Sequence, residues 1–207
     1  MKNKSNLNTE VKITNQDIDN FLKNVFTYQI SMLAEATIGF LIQNILNRYS
    51  SKTENYAVYH SQIYFEHLHI TLYKLLLDNS GKSSLNIQKL FRLILDNNYK
   101  PELADGVKKT RIEFNKNILG KYNKILEHVR KFRNKLNAHI VTVPITEKPK
   151  LKDDSIDLAN DLIPLVQDTV KYYIELLEIF GFKHTLNEYL DIDFLVKDRI
   201  NKLIGSR

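Results

Sequence analysis

The chain contains no cysteine. That excludes a disulfide framework, a thiolate nucleophile and any cysteine-ligated zinc or iron–sulfur centre. Glycine and proline are scarce, at six and four of 207 residues, which excludes a collagen-like repeat. No alternation of apolar and polar residues of the kind a strand needs runs beyond a few positions, and there is no internal repeat. The opening residues, MKNKSNLNTEVKITNQ, are polar and lack the apolar centre of a signal peptide. The most hydrophobic stretch, Val25 to Leu46, is interrupted by Gln29, Glu35 and Gln43. A bilayer span wants about 20 mostly apolar residues. The stretch therefore reads as a buried helix, and the protein is expected to be soluble and cytoplasmic with no membrane partner.

What is present is enough apolar material for one sizeable core: 43% hydrophobic residues beside 26% charged. The few glycines and prolines punctuate long helical patterns. A first pattern starts near Asn15, its expected cap, and runs through Ile18, Leu22, Val25, Leu33, Ala36 and Phe40 towards Tyr49, long enough for two helices in line. A second covers Asn55 to Leu77. After the turn Asp78–Lys82, Ser83 or Ser84 is expected to cap a short helix ending near Leu95. The triplet Gly81-Lys82-Ser83 is not a phosphate loop, because position 76, where that motif needs glycine, is Leu.

Pro101 opens a long helical region that pauses at Gly120, and in its second part Ile118, Tyr122, Ile125, Val129, Phe132 and Leu136 form a regular apolar stripe. A loop follows from about Val141 to Lys152. Asp161 is expected to cap a helix with Pro164 in its first turn, stopped by Gly181, and a short last helix spans Ile192 to Ile204. The fold class is all-α, an up-and-down antiparallel helical bundle.

Charge is unevenly spread. Between Lys108 and Lys135 there are ten basic residues against two acidic ones, whereas Asp153 to Asp198 holds eleven acids and three lysines. Two neighbouring helices with ordinary solvated faces would give this pattern; so would a basic track for phosphates.

The basic helix ends Arg130-Lys131-Phe132-Arg133-Asn134-Lys135-Leu136-Asn137-Ala138-His139. An arginine, a polar neighbour and a histidine shortly beyond resemble the motif of HEPN domains, and RNKLNAHI looks most similar to their AbiU-type abortive-infection branch. His69 to Leu95 also looks like that branch's helix, turn and short helix, and the resemblance covers roughly His60 to Phe180. Asn134 stands where the branch usually has Asp.

The expected organisation is a flexible segment 1–14, a HEPN-like helical bundle over 15–183 and an accessory C-terminal helix in 184–207; the resemblance does not reach the first 50 residues or the tail after Gly181. It implies a metal-independent endoribonuclease without cofactors, acting in anti-phage defence or as a toxin with a cognate antitoxin protein. It also implies a homodimer with a composite cleft and RNA (tRNA or mRNA) as substrate. The alternative is a non-catalytic RNA- or protein-binding regulatory module.

The residue chemistry is compatible. A neutral imidazole near pH 7 can take a proton from an RNA 2′-hydroxyl, and a guanidinium offers fixed charge with paired donors for phosphate. His139 is the candidate general base, Arg133 the phosphate clamp, and Asn134 would orient either. Arg130, Lys131, Lys135 and Asn137 are the candidate RNA contacts. Six residues on a continuous helix leave Arg133 and His139 about 120° apart. Either the helix unwinds near Asn137 or two copies assemble the site.

Tyr56, His60, Tyr64 and His67 share a face of the second helix and can stack bases or, like any aromatic stripe, form core. Tyr59, His60 and Tyr64 would support the cleft. His67 and His69 point to different faces, with no carboxylate at ligand spacing, so no metal site is expected. His128 and His184 suggest only surface or packing roles.

Overall fold

The computed structural model describes residues 13–49, 54–78, 86–139 and 158–205. Among them the chain is helical and holds no strand. The helices are α1 (Asn15–Asn20), α2 (Thr27–Tyr49), α3 (Glu54–Leu72), α4 (Ile87–Asp96), α5 (Ala104–Phe114), α6 (Asn123–His139), α7 (Leu158–Ile179) and α8 (Ile192–Gly205). Three wide π-helical turns, Phe21–Phe26, Tyr73–Leu77 and Asn115–Gly120, lie where one helix would otherwise continue. Helix α2 runs through the middle of the bundle, packed by α3, α7, α8 and the short 3₁₀ turn Leu186–Leu190. Helix α6 lies against α3.

The core joins all of these. Ile18, Leu22, Phe26, Leu33 and Ile38 from the first helical run are fully buried with Leu68, Leu72, Val129, Val170 and Leu176. The stretch Asn15–Leu46 is long and apolar enough to cross a bilayer by length and composition, with a mean hydropathy of 1.4 in its most apolar window. In this fold 44% of that window is buried, and Tyr28 stands exposed. The same core continues past position 183, taking in Leu186, Tyr189, Ile192 and Val196.

Local chemistry explains the helix ends. Thr14, not Asn15, caps α1: its hydroxyl accepts from the Asp17 amide while the Asp17 carboxylate accepts from the Thr14 amide at 2.8 Å. This is a reciprocal capping box, which needs Thr or Ser three residues before an acid and is met at 14 and 17. Asn86 caps α4, accepting from the Lys89 amide at 2.8 Å while donating to the Asp78 carbonyl at 2.7 Å. One buried amide thus ties both sides of the turn; Ser83 and Ser84 lie outside the described residues. Gly181 stops the next-to-last helix as expected, at φ 68°, with its amide bonded to the Glu178 carbonyl and that of Phe182 to the Leu177 carbonyl.

Helix α7 starts at Leu158, so Asp161 is not its cap and Pro164 sits past its first turn. The missing N–H there is tolerated because Leu162, Leu165, Val166 and Val170 all bury on the same face, and that burial outweighs one backbone bond. The π turn Phe21–Phe26 has a clear compensation. The Leu22 carbonyl accepts from the buried Tyr173 hydroxyl at 2.5 Å and from the Thr27 hydroxyl at 3.0 Å. Burial holds the Tyr173 phenol well above its usual range, so it stays a donor. The loop 141–152 and the Gly81-Lys82-Ser83 triplet lie outside the described residues.

Candidate functional site

The apolar stripe of the basic helix sets the position of everything on it. Ile118, Tyr122, Ile125, Val129 and Phe132 are buried. Phe132 meets two rings of α3: Phe65, edge-on at 5.3 Å between centroids, and His69 at 4.5 Å. Arg133 follows Phe132, so it leaves the helix at the margin of this buried face. It is half-buried, and its guanidinium carbon lies 4.7 Å from the centroid of the Tyr73 ring. Its Nη1 donates to the Asn134 side-chain oxygen at 3.3 Å. Asn134 and Lys131 are exposed. Arg130 is exposed too and pairs with Glu127 one turn before it, so its charge is locally balanced rather than added to the field at Arg133.

Helix α6 is unbroken to His139. The alternative in which the helix unwinds near Asn137 is therefore not taken, because the ladder of backbone bonds carries through it. On that continuous backbone, positions 133 and 139 diverge by about 120°. The side chains of Lys135, Asn137 and His139 lie outside those described, as do those of Tyr56, Tyr59 and His60.

Tyr64 and His67 go elsewhere. Tyr64 packs towards α2, its ring where a side chain on Gly39 would be, and with His67 it lines a groove of about 320 Å³ that Glu35 and Arg199 also border. Arg133 is reached instead from the α6 side of α3, through Tyr73. Among the described residues no three His, Asp or Glu side chains gather in one place.

The basic and acidic stretches do meet. Lys121 bridges to Asp168 of α7 at 3.0 Å, and the same carboxylate accepts from the Tyr122 hydroxyl at 2.6 Å. Lys108 pairs within its own helix with Asp105, while Lys116, Lys124 and Lys131 stand exposed along the outer side of the basic run. Ordinary neutralisation between neighbours accounts for Lys108, Lys121 and Arg130 along the segment, and Lys116, Lys124 and Lys131 between and beside them keep an exposed cationic side.

The family model of AbiU2, a HEPN family, matches residues 41–193. The chain belongs to it. No curated protein and no solved structure matches the chain. As an AbiU2 protein it is an abortive-infection-related HEPN domain. The match extends beyond His60 to Phe180 in both directions, into α2 and to the first turn of α8.

In this AbiU2 protein two residues beside the motif take places that the sequence reading did not assign them. One is Tyr73. The other is His69, which is fully buried between Phe65, at 4.0 Å, and Phe132. A carbonyl oxygen only accepts, so His69 Nδ1 carries the proton and donates to the Phe65 carbonyl at 2.8 Å. Its Nε2 has no hydrogen-bond partner. Burial pushes its pKa down to about 4, His128 nearby adds to the effect, and the Phe65 carbonyl opposes it. The ring is thus neutral and apolar in function, a packing element of the wall that carries Arg133. The available signal was spacing: Phe65, His69 and Tyr73 recur every four residues along α3 and into the π turn that follows it.

Proposed function

We propose that this AbiU2 protein is a metal-independent endoribonuclease whose chemistry is carried by Arg133 and His139. The observation that supports the reading most is the presence of both residues on one uninterrupted helix of an AbiU2 HEPN domain, with the Arg133 guanidinium held half-buried at the margin of the bundle.

The chemistry asks little of a protein. Neutral His139 takes the proton of an RNA 2′-hydroxyl, and the 2′-oxygen attacks the adjacent phosphorus. The bond to the 5′-oxygen breaks, that oxygen takes a proton from solvent, and a 2′,3′-cyclic phosphate remains. Arg133 holds the phosphate oxygens as charge builds, through charge-assisted and paired donors. Asn134, hydrogen-bonded to Arg133, orients it. Lys131, Lys135 and Asn137 contact the RNA backbone, and Arg130 joins them when RNA competes with Glu127.

Because positions 133 and 139 face about 120° apart, the reading calls for a homodimer in which each cleft takes Arg133 from one copy and His139 from the other. The setting is cytoplasmic defence against phage or a toxin–antitoxin pair, with tRNA or mRNA as substrate and a cognate antitoxin as the silencing partner. The test is RNA cleavage in EDTA by the wild type beside Arg133→Ala and His139→Ala, with mass measured by light scattering. Cleavage by the dimeric wild type alone upholds the reading. Equal behaviour of all three folded proteins overturns it in favour of a non-catalytic binding module.

A further inference from the structure

We propose that Tyr73 is, beside Asn134, a positioning residue for Arg133: its ring fixes the guanidinium in the posture that meets RNA phosphate, an inference that deepens the ribonuclease reading and rests on it. An arginine side chain near a helix end sweeps a wide volume, and a phosphate clamp works only where the guanidinium plane is already set. An aromatic ring attracts the cation through its negative π cloud without itself taking up an N–H donor. Arg133 lies 4.7 Å from the Tyr73 centroid, in that range.

The ring itself is held in place. Tyr73 continues the series Phe65 and His69 of α3 into the π turn, and those two residues lock onto Phe132, the residue before Arg133. The register of α3 on α6 is therefore set by rigid aromatic contacts one position away from the clamp. Tyr73 also begins the π turn that ends α3, where its carbonyl accepts from the Asp78 amide at 2.9 Å. The chain beyond it is then tied by Asn86 to the Asp78 carbonyl. Both the helix before Tyr73 and the turn after it are fastened, so the ring does not follow the guanidinium; the guanidinium follows the ring.

The experiment uses the full chain and a fluorescent single-stranded oligoribonucleotide, comparing wild type, Tyr73→Phe, Tyr73→Leu and Arg133→Ala in EDTA. Side-chain NMR of Arg133 is recorded on the first three. Tyr73→Phe keeps the ring and should retain kcat within about twofold, whereas Tyr73→Leu should lower kcat about tenfold with KM changed by less than about twofold. The Arg133 side-chain resonances should be ring-shifted in wild type and Tyr73→Phe and lose that shift in Tyr73→Leu, with all three proteins melting cooperatively.

If the wild type cuts and Tyr73→Leu cuts equally well, or if Tyr73→Phe falls as far as Leu, the positioning role is overturned while the ribonuclease reading stands. If the wild type cuts no RNA, the ribonuclease reading falls, and the resonances decide the posture: a ring shift lost in the Leu variant upholds the Tyr73 contact, and its absence from wild type overturns it.

Discussion

The centroid of the His69 ring lies 4.5 Å from that of Phe132, inside a wall of rings that leaves the imidazole no solvent contact and its Nε2 no partner. The cost of protonating it there makes stability depend on pH. Its pKa falls from 6.5 in the unfolded chain to about 4 in the folded one. Between those values the unfolded state binds more protons, so stability rises with pH across the window and is lost as pH falls. Urea unfolding should give a protein less stable at pH 5 than at pH 7 by about 2 kcal/mol from this group. His69→Phe, which keeps the ring and removes the proton site, should flatten that difference. An unchanged pH slope in His69→Phe would show that the loss comes from other groups.

The parts of this wall that were legible in the sequence are those that repeat. The stripe Ile118 to Phe132 gives helix, face and burial together because apolar residues recur at helical spacing, and Gly181 marks a stop because only glycine takes its positive φ cheaply. The Arg133-to-His139 motif was legible as residue types. Tyr73 was not, because its partner is sixty positions away and only the packing of α3 on α6 brings them together. The π turns are similarly silent: no residue type demands them, and what stabilises the first is a tyrosine hydroxyl reaching Leu22 from α7. Thr14 and Asn86 displaced nearby candidates of the same chemistry, since capping is decided by which side chain reaches the free amides.

Gly39 of α2 faces Tyr64 of α3 so closely that a Cβ would stand 2.5 Å from the ring. Alanine is ordinarily favoured over glycine within a helix by about 1 kcal/mol. Here the clash should reverse the sign, and Gly39→Ala should destabilise the protein by about 1–2 kcal/mol. Combined with Tyr64→Ala the same substitution should become stabilising. A double-mutant cycle by chemical denaturation measures the coupling, and simple additivity would mean that Tyr64 moves aside at no cost.

Glu35 of α2 accepts from both terminal nitrogens of Arg199, at 2.6 and 2.7 Å, and from the Tyr189 hydroxyl at 3.0 Å. The Arg199 bonds are the main reason its carboxyl lies below the usual carboxylate range; partial burial opposes them and the Tyr189 bond reinforces them. A lowered folded pKa means a contribution that is present above the normal carboxylate pKa and disappears as pH falls through the folded one. The pair is about 40% exposed on each side, at 42% for Glu35 and 38% for Arg199, so solvent screening keeps it modest. Glu35→Ala should cost about 1 kcal/mol and speed amide exchange in α8 ahead of the rest of the bundle. Unaltered exchange in α8 would mean that Ile192 and Val196, buried in the core, hold that helix unaided.

The uninterrupted course of α6 through His139 has a consequence for mixtures of inactive proteins. If each cleft draws Arg133 from one copy and His139 from the other, a dimer of one Arg133→Ala chain with one His139→Ala chain has one site lacking both residues and one site intact. Equal mixing with subunit exchange makes half the dimers mixed, each with one working site in two, so about a quarter of wild-type activity should return. If instead both residues serve the cleft of their own chain, every site in the mixture lacks one of them. Activity would then stay at the level of the separate variants, even though each remains folded and dimeric. Measuring cleavage before and after exchange separates the two geometries without altering any residue beyond those already tested.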